Sequence, residues 1–212
     1  MIVVIVLATG CGRFGFDRNQ RVETDAPVLE PMTIRLGNRP GATDLGVADT
    51  WINSNDVGAN HGADPGLQVD LPDFALYRFE LPAAMPSQIL AAELHLGVTD
   101  DRLEAGVVEV FEMKVAWSEL GATWNEASPG IAWPAPGAAG ASRAAIRFGA
   151  FDAAILFTDD TIAVPTDVIA RWWSGANFGI GLDVTAAGVN LGVHEDPTNV
   201  DLRPELRITY VP

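Results

Sequence analysis

The residues able to do chemistry in this chain are spaced in ways that exclude the familiar catalytic arrangements. Three histidines, His61, His95 and His194, lie far apart, and none forms an HxH or HExxH pair, so a zinc centre of the protease type has no scaffold. Serines stand in no GxSxG elbow, and no glycine loop leads from a strand to a helix with a Walker lysine, which removes the signatures of acyl and phosphoryl transfer. Carboxylates are abundant, 28 in all, but a glycosidase pair is defined by separation in space, which spacing along the chain does not reveal. The chain is therefore read as non-enzymatic, with no catalytic residue assigned. Hard-cation chemistry has more support. Asn53, Asn55 and Asp64 place side-chain oxygens at positions one, three and twelve of a loop with Gly58 at position six and Asp56 beside them. The loop lacks the initial Asp of an EF-hand, has Val57 at position five, and carries Asp64 where a bidentate Glu is usual. Asn, Asp and Gly also serve turns for backbone reasons alone. The turn is the preferred reading, and no cofactor is required; structural calcium at Asn53, Asn55, Asp56 and Asp64 is the alternative. Glu195 and Asp196 beside Asn199 and Asp201 form a second oxygen-rich loop.

Six tryptophans carry the remaining chemistry. Pyranose rings present C–H faces that pack on indole rings, while polar neighbours supply hydrogen bonds. Trp133, flanked by Pro134 and Pro136, is the expected exposed platform. Trp172 and Trp173 cannot both face the interior of one short helix, and Trp172 is taken as a second candidate. Trp117 and Trp124 read as packing residues, and Trp51 can serve either purpose. Arg78, Lys114 and Arg207 are the cations expected on outward strand positions, of which Arg78 and Lys114 join the glycan-binding candidates. That thin supply, with a net charge of -15, favours a neutral glycan or a protein partner over a polyuronate. The same charge repels phosphate backbones, so nucleic acid is not an expected partner.

The single cysteine, Cys11, follows an apolar run, MIVVIVLATG. Leu7-Ala8-Thr9-Gly10-Cys11 resembles the lipobox of bacterial lipoproteins, whose cysteine is acylated once the leader is cut away. Position minus three is Ala8 where Leu is preferred, and no Lys or Arg precedes the run. Residues 1–10 are expected as signal peptide and 11–31, with Pro27 and Pro31, as lipidated cysteine and tether. The lipid would be the only membrane attachment, in the bacterial cell envelope, at the outer membrane or cell surface. With Cys11 so used, no thiol remains for disulfides or thiolate metal sites.

Residues 32–212 must position whatever site exists. Short runs of period-two alternation, separated by Gly, Pro, Asn and Asp, predict an all-β sandwich or barrel. In Ala75 to Leu81, Tyr77, Phe79 and Leu81 share one face; in Glu93 to Val98, Leu94, Leu96 and Val98 do. Val107 to Trp117 reads as one long strand with Val107, Phe111, Met113, Val115 and Trp117 inward, and Leu206, Ile208 and Tyr210 mark a closing strand. Thr166 to Ser174 predicts the one short helix, capped by Thr166 and stopped by Gly175.

Several segments, taken in order, resemble the DNRLRE-type, disaggregatase-related family of extracellular modules grouped with carbohydrate-binding modules. They are Asp49-Thr50-Trp51, Asn60-His61-Gly62, Tyr77 to Leu81, Trp117-Ser118-Glu119, Thr123-Trp124-Asn125, Asn177-Phe178-Gly179 and Arg203-Pro204-Glu205-Leu206. The resemblance implies a jelly-roll β-sandwich of two antiparallel sheets, and a non-catalytic role in binding polysaccharide or a matrix component. A structural or adhesion module with a protein partner is the second reading, and a hydrolase the third.

Overall fold

The computed structural model describes residues 29–100, 106–153, 157–184, 189–193 and 196–212. Cys11, His194 and Glu195 lie outside the described residues. In chain order the strands are β1 (Met32–Gly37), β2 (Val47–Ile52), β3 (Leu67–Val69), β4 (Phe74–Phe79), β5 (Gln88–Asp100), β6 (Val107–Glu112), β7 (Glu126–Ser128), β8 (Ile131–Ala132), β9 (Gly149–Asp152), β10 (Asp159–Ala163), β11 (Ile180–Val184), β12 (Val189–Leu191) and β13 (Glu205–Val211), with α1 (Thr166–Arg171) between β10 and β11. Branched and aromatic residues alternating with polar ones produce these strands, and Gly, Pro and Asn punctuate them. No described helix is long and apolar enough to cross a membrane.

Two antiparallel sheets pack face to face. The first has the order β1-β13-β5-β12-β3, with β10 also paired to β5; the second has the order β2-β4-β11-β6-β9. Connections from β4 to β5, β5 to β6, β9 to β10 and β10 to β11 each pass from one sheet to the other, which is the winding of a jelly roll. Register explains the core. Leu36, Leu206, Leu94 and Ile162 form one row across the first sheet. Val110, Leu182, Ala75 and Trp51 form a row across the second. Apart from Trp51 these residues are buried between the sheets, and each fully buried Leu or Val contributes about 1.5–3 kcal/mol. The alternation expected for β4, β5 and β13 is present, with Tyr77, Phe79, Leu94, Leu96, Val98, Leu206 and Ile208 all in this core.

A second core lies outside the second sheet. The chain between β6 and β9 folds back over that sheet, and Trp117, Ala122, Ala127, Trp133 and Ala138 cover Ile52, Phe74, Leu76 and Met113. This corrects the reading of Val107 to Trp117. The strand ends at Glu112, Val108 and Val110 face the inter-sheet core, and Val107 is 39% exposed. A strand buried on both faces loses the polar-out alternation that would reveal its phase.

The helix also differs in detail. Thr166 lies within α1 and makes no capping hydrogen bond, Pro165 holding the cap position. One wider turn follows over Trp172–Ala176, and within it Gly175, with a φ of 102°, breaks the helical conformation as expected.

Candidate functional site

Trp51 ends the inner row of the second sheet, at the edge of the sandwich where β2 comes against β3 of the other sheet. The indole is half-buried, and the imidazole of His61 stacks on it with centroids 3.6 Å apart and planes 14° from parallel. His61 Nδ1 donates to Asp64 Oδ2 at 2.9 Å, which fixes the ring's orientation. The loop carrying His61 is itself held from below. Asn60 Nδ2 donates to the carbonyl oxygens of Glu119 (2.7 Å) and Ala122 (2.8 Å), and the Asp49 amide donates to Glu119 Oε1 at 2.9 Å. Gly62 lies so close that a Cβ there would stand 2.2 Å from the Glu119 carbonyl oxygen.

Beside Trp51 opens a cleft of about 500 Å³, within the range of small-ligand sites. Its floor includes polar positions of three neighbouring strands. Gln68 of β3 pairs in register with Asn190 of β12, and Thr99 of β5 donates its hydroxyl to the Asn190 carbonyl at 3.4 Å. Leu67, Val69, Val98 and Leu191 alternate with them and are buried beneath. The far wall is Asp196 to Asn199. Burial would raise the Asp196 carboxyl, but hydrogen bonds from the amides and side chains of Thr198 and Asn199 hold it below the ordinary carboxylate range.

This arrangement suits recognition. The half-buried indole, with His61 stacked on it, forms an apolar wall of the cleft, and amides and hydroxyls both donate and accept as sugar hydroxyls do. Both carboxylates of the lining are engaged, Asp64 by His61 and Asp196 within its own turn. A glycosidic general acid needs a raised pKa, opposite to the direction found at Asp196.

The glycan candidates of the sequence do not meet here. Trp133 is 5% exposed and donates Nε1–H to the Thr123 carbonyl at 2.9 Å; it fills the second core. Trp172 is 3% exposed, in the main core. Both expectations of an exposed platform are therefore corrected: small residues at Ala122, Ala127 and Ala138 make room for Trp133, and the turn after α1 swings Trp172 inward. Arg78 donates to the Trp117 carbonyl at 2.9 Å and lies over the Trp117 ring, 5.2 Å from its centroid. Lys114 pairs with Glu112 Oε2 at 2.5 Å. Neither lines the cleft.

The calcium candidates have protein partners or face solvent. Asn53 Oδ1 accepts the Asn55 amide, Asp64 serves His61, and Asn55 and Asp56 are exposed. These are the bonds of a turn, and among the described residues no group of three or more His, Cys, Asp or Glu is disposed to hold a metal.

Gln68, Thr99 and Asn190 were not singled out by sequence. Each stands next to a buried apolar residue of its strand, the only signal available. Of the ordered motif residues, Asn60, Gly62, Trp117 and Asn177 act as ties: Trp117 Nε1 donates to the Phe178 carbonyl at 2.8 Å and Asn177 Nδ2 to the Phe79 carbonyl at 2.7 Å.

Fold and cleft together define a jelly-roll β-sandwich with an open, polar-lined cleft beside Trp51. Residues 42–143 match carbohydrate-binding module family 96, so this stretch, which contains Trp51, His61 and Asp64, is similar to a carbohydrate-binding module. No protein of curated function matches the chain.

Proposed function

We propose that this domain is the non-catalytic glycan- or matrix-binding module of a bacterial surface lipoprotein, and that it binds in the Trp51 cleft. The observation carrying this reading is the coincidence of an indole braced by His61 with a polar-lined cleft in a chain similar to a carbohydrate-binding module. The ordered motifs favour, within such modules, the DNRLRE-type, disaggregatase-related family. Residues 1–10 act as leader, acylated Cys11 as anchor and residues up to 31 as tether to the sandwich of residues 32–212. The protein then stands in the cell envelope, at the outer membrane or cell surface.

A second reading, docking of a protein partner, draws on an apolar groove of about 320 Å³ lined by Ile34, Met85, Pro86, Trp173 and Tyr210, with Met85 56% exposed. A polysaccharide array distinguishes the two. Under the glycan reading, Trp51→Ala lowers affinity for the retained polymer about tenfold or more, equivalent to about 1.4 kcal/mol, and Trp173→Ala leaves it unchanged. Glycan binding lost in Trp173→Ala and kept in Trp51→Ala, with both folded, counts against the cleft.

A further inference from the structure

We propose that the apolar groove beside Tyr210 is the dock for this chain's own N-terminal segment, with Phe14 and Phe16 seated against Trp173, Tyr210 and Met85. The groove, of about 320 Å³, opens where the inter-sheet core reaches the surface: Ile34, Trp173 and Tyr210 pack against that core and also line the groove. Met85, 56% exposed, and Pro86 line it with them. Met32 shares a face of β1 with Ile34, pairs in register with Tyr210 and is 54% exposed, and Leu29, three residues earlier, is 52% exposed. Exposed apolar side chains therefore continue from the groove along β1 toward the start of the described chain. The stretch of chain nearest to cover them is residues 12–28, which lie outside the described residues.

The sequence of that segment fits the groove. Phe14 and Phe16 are the first aromatic residues of the chain, and a spacing of two puts both rings on one side of an extended backbone. Gly12 and Gly15 beside them let that backbone approach closely. Fifteen residues separate Phe16 from Met32, a span of roughly 50 Å when extended, so the chain can turn back and reach the groove. Such a link holds the rings at an effective concentration on the order of millimolar, at which even a weak contact stays formed.

Charge selects this occupant over others. Residues 12–21 carry Arg13, Arg18 and Arg21 against Asp17 alone, whereas the sequence from Leu29 onward holds 10 Lys or Arg and 25 Asp or Glu. Glu30 is exposed two residues before Met32, and a hollow that shares Met85 and Pro86 with the groove is lined by Asp167, exposed although it holds Arg171. A basic segment meets this acidic domain favourably, while a second copy of it or an anionic lipid surface brings like charge.

Groove and Trp51 cleft stand far apart on β5. Ile89 pairs with Tyr210 of the groove, and Thr99 of the cleft follows ten residues later, about 33 Å along the strand. With Cys11 as the anchor proposed above, docking of Phe14 and Phe16 shortens the tether and points the cleft away from the lipid. The docking itself requires neither the anchor nor a glycan.

The test is limited trypsin digestion of the full-length chain, with cleavage after Arg18 and Arg21 followed by mass spectrometry. Cleavage of a docked segment tracks the fraction undocked. The expected result is cleavage at least fivefold slower in the wild type than in Met85→Asp, a change at an exposed side chain, with the Phe14→Ser/Phe16→Ser double variant cut as fast as Met85→Asp. Combining the three changes should add nothing. Equal rates in the wild type and both variants, each folded by circular dichroism, overturn the proposal. Protection lost on tenfold dilution assigns the groove to a second copy, and protection that arises only with vesicles of phosphatidylglycerol and phosphatidylethanolamine assigns it to a membrane; either result also overturns it.

Discussion

In Gly62→Ala the new methyl carbon would stand 2.2 Å from the Glu119 carbonyl oxygen and 2.7 Å from its carbon, more than 1 Å inside ordinary contact. Both atoms are backbone, so no side-chain rotation relieves the clash, and the His61–Gly62 segment must move away. That movement stretches the Asn60 bonds to the Glu119 and Ala122 carbonyls, now 2.7 and 2.8 Å. Two such bonds contribute about 0.5–1.5 kcal/mol each, and overpacking adds about 1–3 kcal/mol, so the expected loss is about 3 kcal/mol. At roughly 2–4 °C per kcal/mol for a domain of this size, thermal unfolding should fall by roughly 6–12 °C. Gly58 in the same loop has nothing within 4 Å of its Cβ position, so Gly58→Ala should be neutral or slightly stabilising through the unfolded chain. The His61 stack shifts with Gly62, and ligand affinity should fall in that variant alone. Differential scanning calorimetry of the two variants beside the wild type is the assay. Equal midpoints for Gly62→Ala and the wild type, or equal losses in both variants, would refute the reasoning.

Two further outcomes are expected. Trp117→Phe removes the indole donor to the Phe178 carbonyl and leaves a void in the second core, which should cost about 2–4 kcal/mol by urea unfolding while glycan affinity of the folded protein is unchanged; a loss below about 0.5 kcal/mol would show that the ring is not a tie. Stability should also fall in acid. Burial opposes the charge on Glu112, Asp159, Asp196 and Glu205, yet hydrogen-bonding partners, Arg171, Arg39, the Asn199 amide and Arg35 foremost, outweigh it and hold all four below their ordinary values. Folded-state values below the unfolded ones mean a contribution fully present above about pH 4.5 that is lost as pH falls through the folded values. Asp160, raised by burial and by Asp159 and Asp152, has the opposite sign and offsets part of this. A urea midpoint that stays level or rises between pH 5 and pH 3 would contradict this balance.

Much of the sandwich was legible in one dimension because alternation has a fixed physical meaning. Tyr77 with Phe79, Leu94 with Leu96, and Leu206 with Ile208 had to share faces once their segments became strands, and Gly175 could take the positive φ that ends a helix. Packing of Trp117 followed from its place among the motifs. Alternation identifies two faces but is silent on what covers the second. The fold-back of the chain between β6 and β9 buries both sides of the second sheet, hiding the phase of Val107 to Glu112 and taking Trp133 from its expected exposure. The cleft was hidden for a related reason. Trp51, Gln68, Thr99, Asn190 and Asp196 belong to four strands and a loop spread over most of the domain, each ordinary in its own segment. Local residue preferences act over a few positions along the chain, and only antiparallel register together with the pinning of the His61 loop by Asn60 and Gly62 brings these side chains around one hollow.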